Sequence, residues 1–155
     1  MPVPTFEQID AYEAAPAQIA SATSGLSELQ LLHVPAPGEW SIHEVLVHLP
    51  DSEIFGFERM RRIIAEDKPV LRAYDEELWA RNLAYRTQDP MRALDLFKAL
   101  RRSNAALLRP LSPDVWERKG RHMERGEMSL YDIFQVYLEH GKIHLRQIEQ
   151  VKRSL

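Results

Sequence analysis

The stretch SLYDIFQVYLEHGKIHLRQIEQV, residues 129–151, decides the reading of this chain. Leu130, Ile133, Phe134, Tyr137, Ile148 and Val151 fall on one face at helical steps of three and four. Ser129, with Asp132 three residues on, opens a helix that the pattern carries almost to the C-terminus. On the same face, His140 and His144 occupy positions where the pattern calls for apolar residues. Residues four apart differ by about 40° around a helix axis and ~6 Å along it, so both imidazoles can reach one ion.

Outward from this helix, the punctuation divides the rest into three more. Thr5 caps a first helix to about Thr23, with Pro16 expected to kink or break it. The loop HVPAPGEW leads to Ser41-Ile-His-Glu44, a capping box that starts a second helix reaching about Glu66. Pro50 predicts a bend in that helix. The segment DEELWARNLAY reads as a helical turn or two in a crossover connection. Asp89-Pro90 then starts a third long helix, which ends near Arg109-Pro110 and carries Leu94, Phe97, Leu100, Leu107 and Leu108 at helical spacing. The segment LSPDVWERKGRHMERGEM reads as irregular, and nothing reads as a run of strands. The expectation is an all-α chain, one four-helix-bundle domain over residues 1–155.

Composition narrows the function. The 155 residues contain no cysteine, which excludes thiolate ligands and cysteine nucleophiles and leaves imidazole and carboxylate as metal ligands. The formal charge is −3, against the basic footprint of nucleic-acid binders. The one basic cluster, Arg59, Arg61 and Arg62 beside Glu58 and Glu66, reads as a solvated helix face. No apolar run approaches the roughly 18 residues of a membrane span. The opening MPVPTFEQIDAYEAA carries acids where a signal peptide is basic and then apolar, so a cytoplasmic location is expected.

His48 is the candidate third ligand, because it shares a face with Val45, Leu49, Ser52 and Gly56 and the two small residues leave room for a ligand. His43-Glu44 followed by His48 looks like a protease H-E-x-x-H motif with one residue too many. Five residues turn a helix by about 140°, which points the two imidazoles apart and leaves His43 near the surface. His33 has no partner in sequence.

WSIHEVLVHLPDSE at residues 40–53 and YLEHGKIHLRQIEQ at residues 137–150 together resemble the DinB-like superfamily, which includes the YfiT-like proteins regarded as metal-dependent hydrolases. The matching positions are Trp40, Ser41, His48, His140, His144, Gln147 and Ile148; RHMERGEMSLYDIF, with His122 and Gly126, is similar to the family's loop into the last helix. Pro50, directly after the second-helix motif, departs from the pattern. The resemblance implies a four-helix bundle with a crossover, a three-histidine site completed by water, and a homodimer.

Three neutral imidazoles leave an ion with open positions, suited to zinc or nickel ahead of iron or manganese. Two chemistries then stand open: hydrolysis of a small-molecule substrate, and S-transfer with a low-molecular-weight thiol, which the resemblance also implies. A non-catalytic bundle stabilised by its ion is the alternative. Trp40, Ser52, Tyr137 and Gln147 are the candidate pocket residues, Glu53 and Glu139 the candidate acid–base groups, and His122 could overhang the pocket.

Overall fold

A computed structural model describes residues 2–155. Four long helices carry the fold: α1 (Phe6–Thr23), α3 (Ile42–Ala65), α5 (Pro90–Leu108) and α7 (Leu130–Lys152). Short helices α2 (Glu28–Leu31), α4 (Glu76–Asn82) and α6 (Pro113–Trp116) and a 3₁₀ turn (Tyr85–Thr87) lie in the connections. The starts follow local chemistry. Thr5, Ser41 and Ser129 each close a capping box with Gln8, Glu44 and Asp132, and the Asp89 carboxylate accepts from the amides of Met91 and Arg92 ahead of Pro90.

Helix α3 packs on α5 and α7, and α1 packs on the same two, so α1 and α3 are diagonal. At one end of the bundle Ile9, Met60, Ile63, Ala105, Leu108 and Phe134 form one apolar cluster. At the other, Ile19, Val45, Leu46, Leu94, Phe97 and Ile148 form a second. These pairings make α3 and α5 parallel and α1 and α7 antiparallel to them. Parallel neighbours need a connection that returns along the bundle, and residues 66–89, with α4, provide it.

The segment read as irregular is instead a hairpin. Strands β2 (Lys119–His122) and β3 (Gly126–Ser129) pair antiparallel, and β1 (Val70–Leu71) adds to β2 in parallel. Its short strands have no alternating apolar face, which hid them from a periodicity reading. Gly126, at φ 77°, takes the left-handed conformation that closes the turn. Among the described residues, no helix is long and apolar enough to cross a membrane.

A buried polar layer separates the two apolar clusters. Glu53 and Arg101 are each 0% exposed, with Arg101 Nε donating to Glu53 Oε2 at 2.9 Å. The Tyr12 hydroxyl donates to the other Glu53 oxygen, and Asn104 Nδ2 donates to Tyr12 Oη at 3.3 Å. Helix α1 runs through Pro16 unbroken. Proline has no amide for the carbonyl four residues back, that of Tyr12, and Arg101 Nη1 donates to this oxygen at 3.0 Å. Arg101 Nη2 caps the Tyr137 carbonyl at 2.7 Å. Gly141 admits the guanidinium, since a Cβ there would lie 3.0 Å from Arg101 Nη1. Arg101 and Asn104 therefore hold core positions on α5, in step with Leu94, Phe97 and Leu108, while Leu100 and Leu107 are only half-buried.

Gly56 does not leave room for a ligand. A Cβ built there would lie 2.6 Å from Tyr137 Cε1, so the missing side chain seats the Tyr137 ring. Overpacking of this kind costs about 1–3 kcal/mol, so Gly56→Val should lower the melting temperature by roughly 2–4 °C per kcal/mol. An unchanged melting temperature would remove this role.

Candidate metal centre

The three histidines singled out in the sequence converge. Each offers a ring nitrogen, and the three atoms lie within 4.8 Å of one another. His140 Nε2 is 2.9 Å from His144 Nε2 and 3.2 Å from His48 Nε2. His140 and His144 come from successive turns of α7, and His48 from the facing helix α3, which continues unbroken past Pro50.

Burial governs their protonation. His48 is depressed from 6.5 to about 3 and His140 from 6.5 to about 2, in each case first by loss of hydration and then by the neighbouring imidazoles. His144 is lowered mainly by burial, against the hydrogen bond from its side chain to Gln147. His144 Nδ1 donates to Gln147 Oε1 at 2.8 Å, which fixes the tautomer and leaves a lone pair on Nε2. The Nδ1 atoms of His48 and His140 are buried without a hydrogen-bond partner. The edge of the Trp40 indole packs on His48, with ring centres 4.9 Å apart.

Two clefts each include one histidine of the cluster in their walls. One, of about 380 Å³, is walled by Trp40, Glu76, Glu77, His144 and Gln147. The other, of about 140 Å³, is walled by Ser52, Arg59, Tyr74, His122, Tyr137 and His140. Glu76, at the start of α4, contributes to both walls. Burial raises its carboxyl above the usual range, with Glu77 adding to the effect.

The candidate pocket residues thus divide, Trp40 and Gln147 in the first wall and Ser52 and Tyr137 in the second. The two acid–base candidates take other roles. Glu53 is sealed against Arg101, and Glu139 is exposed and paired with Arg146 at 2.9 Å and Lys142 at 3.5 Å. His43 is buried rather than near the surface, its Nε2 2.8 Å from the Gln88 carbonyl oxygen, apart from the three-histidine cluster. His33 meets Ser154 Oγ at 3.2 Å. Arg62 does lie on a solvated face with Glu58 and Glu66, but Arg59 is only 7% exposed. Its signal was the phase of α3: His48, Ser52, Gly56 and Arg59 follow one another at steps of four, four and three. Glu76 had no comparable signal, because it enters from the crossover.

A cluster of three histidines that could hold one ion, set inside a four-helix bundle, defines the class to which this chain is to be compared. The sequence profile of the DinB superfamily matches residues 11–148, and the chain belongs to that superfamily. A protein of Oceanobacillus iheyensis named "Putative metal-dependent hydrolase" is 34% identical over 142 residues, 92% of this chain and 82% of that one. YfiT of Bacillus subtilis, named in the same way, is 28% identical over 148 residues, 95% and 83% of the two chains. The solved structure of YfiT superposes with a TM-score of 0.89 at 26% identity, covering 99% of this chain and 91% of that one. It is described as "a probable metal-dependent hydrolase with an unusual four-helix bundle topology".

Proposed function

We propose that this protein is a metal-dependent hydrolase of a small molecule, with His48, His140 and His144 holding one divalent ion, zinc or nickel. The observation that carries the reading is the convergence of three ring nitrogens within 4.8 Å, with His144 and His140 in the walls of two clefts. The donor set fits. Ligands about 2.0–2.1 Å from a tetrahedral ion stand roughly 3.3 Å apart, near the 2.9 and 3.2 Å between these nitrogens. An ion among the three nitrogens would take a lone pair from each ring, with His144 already held in the ligating tautomer by Gln147. Neutral imidazole is also the ligating form, and burial keeps these rings neutral.

When bound, such an ion supplies Lewis acidity and brings the pKa of a coordinated water toward neutrality. The surrounding side chains do the rest. Gln147 holds the His144 ring in the ligating tautomer, and the Trp40 edge packs against His48. Glu76, which lines both clefts, takes a proton on its carboxylate and returns it to the leaving group. The clefts walled by His144 and His140 favour catalysis over an ion that only stabilises the bundle, and the relatives' names favour hydrolysis over thiol transfer. A homodimer, as the family resemblance implies, and a cytoplasmic location complete the proposal.

Metal analysis of protein purified without an affinity tag should find one equivalent of zinc or nickel. A panel of ester and amide substrates should then reveal turnover that chelation abolishes. Glu76→Gln should keep the metal and lose about 100-fold in kcat. Metal no higher than in His48→Ala protein would overturn the reading.

A further inference from the structure

Arg59 is a buried cation with no counter-ion. Its Nη1 donates to the Tyr137 hydroxyl at 2.8 Å, Nε donates to the Arg72 carbonyl at 3.1 Å, and Nη2 donates to that same carbonyl. Both acceptors are neutral. Among the described residues, no carboxylate oxygen lies within 4.0 Å of its guanidinium, since Arg59 belongs to none of the ion pairs. Glu53, the one fully buried carboxylate, is taken by Arg101 and Tyr12. Glu53, Arg101 and Arg59 together leave one positive charge in the interior. Buried charges are normally paired, because an isolated one forfeits its hydration without return.

The uncompensated charge faces a built cavity. Arg59 forms part of the wall of the 140 Å³ cleft that also contains His140. Two of its five N–H groups, one on each terminal nitrogen, are not used by the protein. Two further donors share that wall. The buried Tyr74 hydroxyl has no hydrogen-bond partner. His122 Nδ1 accepts from the amides of Glu124 at 3.2 Å and Arg125 at 3.3 Å, so its proton is on Nε2, available to donate. Guanidinium, phenol and imidazole side chains that line one small cleft supply the donors an anion site needs.

We infer that the substrate carries a carboxylate, held by Arg59 with Tyr74 and His122 in the cleft beside His140. This takes the proposed hydrolase site as its setting and names the substrate class. Two arginines, Arg59 and Arg125, and two carboxylates, Glu76 and Glu124, line this wall, so it offers no positive charge beyond that of the buried, unpaired Arg59. A phosphate dianion would bring one charge more than Arg59 can balance. His140 shares the cleft, so the bond to be cleaved lies only a few bonds from the carboxylate. The substrate is then a short carboxylic acid bearing an ester or amide.

The test is binding of butyrate, butyramide and inorganic phosphate to the full chain, as purified and again after chelation, followed by calorimetry and by the Arg side-chain Nε–H signals. Butyrate should bind at least about tenfold more tightly than butyramide and than phosphate, with and without metal, and shift the Arg59 signal. Arg59→Met, close in length, should remove that preference while metal content stays at one equivalent. Tyr74→Phe, which deletes only an unpartnered hydroxyl, should fold as the wild type does and weaken butyrate several-fold, so the test does not depend on Arg59→Met folding. Equal binding of butyrate and butyramide, tighter binding of phosphate, butyrate binding that needs the metal, or wild-type affinity in a folded Arg59→Met or Tyr74→Phe protein would each overturn the inference. Metal content reads the three-histidine proposal separately, so the two can fail independently.

Discussion

Glu53→Leu should destabilise the bundle by about 3–5 kcal/mol, a large share of the roughly 5–15 kcal/mol that holds a domain folded. The carboxylate is fully buried and accepts from Arg101 at 2.9 Å and from the Tyr12 hydroxyl. Its loss strands the guanidinium charge of Arg101, which is fully buried. The usual remedy for a broken buried pair is to replace both partners with apolar residues of similar volume, which is often neutral. Here that remedy should succeed only in part. In Glu53→Leu with Arg101→Met, the Tyr12 carbonyl loses its donor, which costs about 1–3 kcal/mol, whereas the Tyr137 carbonyl keeps the Gly141 amide of its own helix. Adding Pro16→Ala restores an amide for the Tyr12 carbonyl and should recover part of the loss. Urea denaturation of the single, double and triple variants measures each step. A double variant as stable as the wild type would show that capping the Tyr12 carbonyl contributes nothing.

His144→Ala should lose more than the 10–100-fold in metal affinity typical of removing an outer partner such as Gln147, and with it all chelator-sensitive turnover. The readout separates ligation from packing. Chelation should lower the melting temperature of the wild type, since saturation at 100 times the dissociation constant contributes about 2.7 kcal/mol, and should leave that of His144→Ala unmoved. A variant that still responds to chelation would remove His144 from the ligand set. Acid should act on the metal-free wild type through His48 and His140. Their folded-state pKa values, about 3 and about 2, lie below the ordinary 6.5, so from pH 6.5 downward the unfolded chain takes up protons that the folded chain refuses. Stability falls with pH through that window and is unaffected by these groups above it. A flat stability profile between pH 6.5 and 4 would contradict the burial of these rings.

Local signals located the four long helices because each rests on short-range chemistry. Capping boxes at Thr5, Ser41 and Ser129 act over three residues, and the α7 stripe repeats within two turns. The same reasoning failed where the answer lay across the bundle. Pro16 looks like a breaker until Arg101, from a helix far along the chain, donates to the carbonyl it frees. Gly56 looks like space for a ligand until Tyr137 fills it. Leu100 looks like core and Arg101 like surface, because a burial phase one residue off cannot be told from composition alone. The hairpin that carries His122 has too few residues per strand to show a period.

For this protein, then, residues 129–151 with the helix opening at Ser41 determined on their own that a helical bundle would place His140 and His144 on one inward face and His48 on another. Helical period and end-capping are properties of neighbouring residues, and neighbours are legible in a sequence. What lies around the histidines was decided only in three dimensions. Glu76 arrives from a crossover, His122 from a strand, and Arg101 pairs with Glu53 while Arg59 meets only neutral acceptors. Charge balance in a buried layer depends on which partners meet, and packing between distant segments settles that.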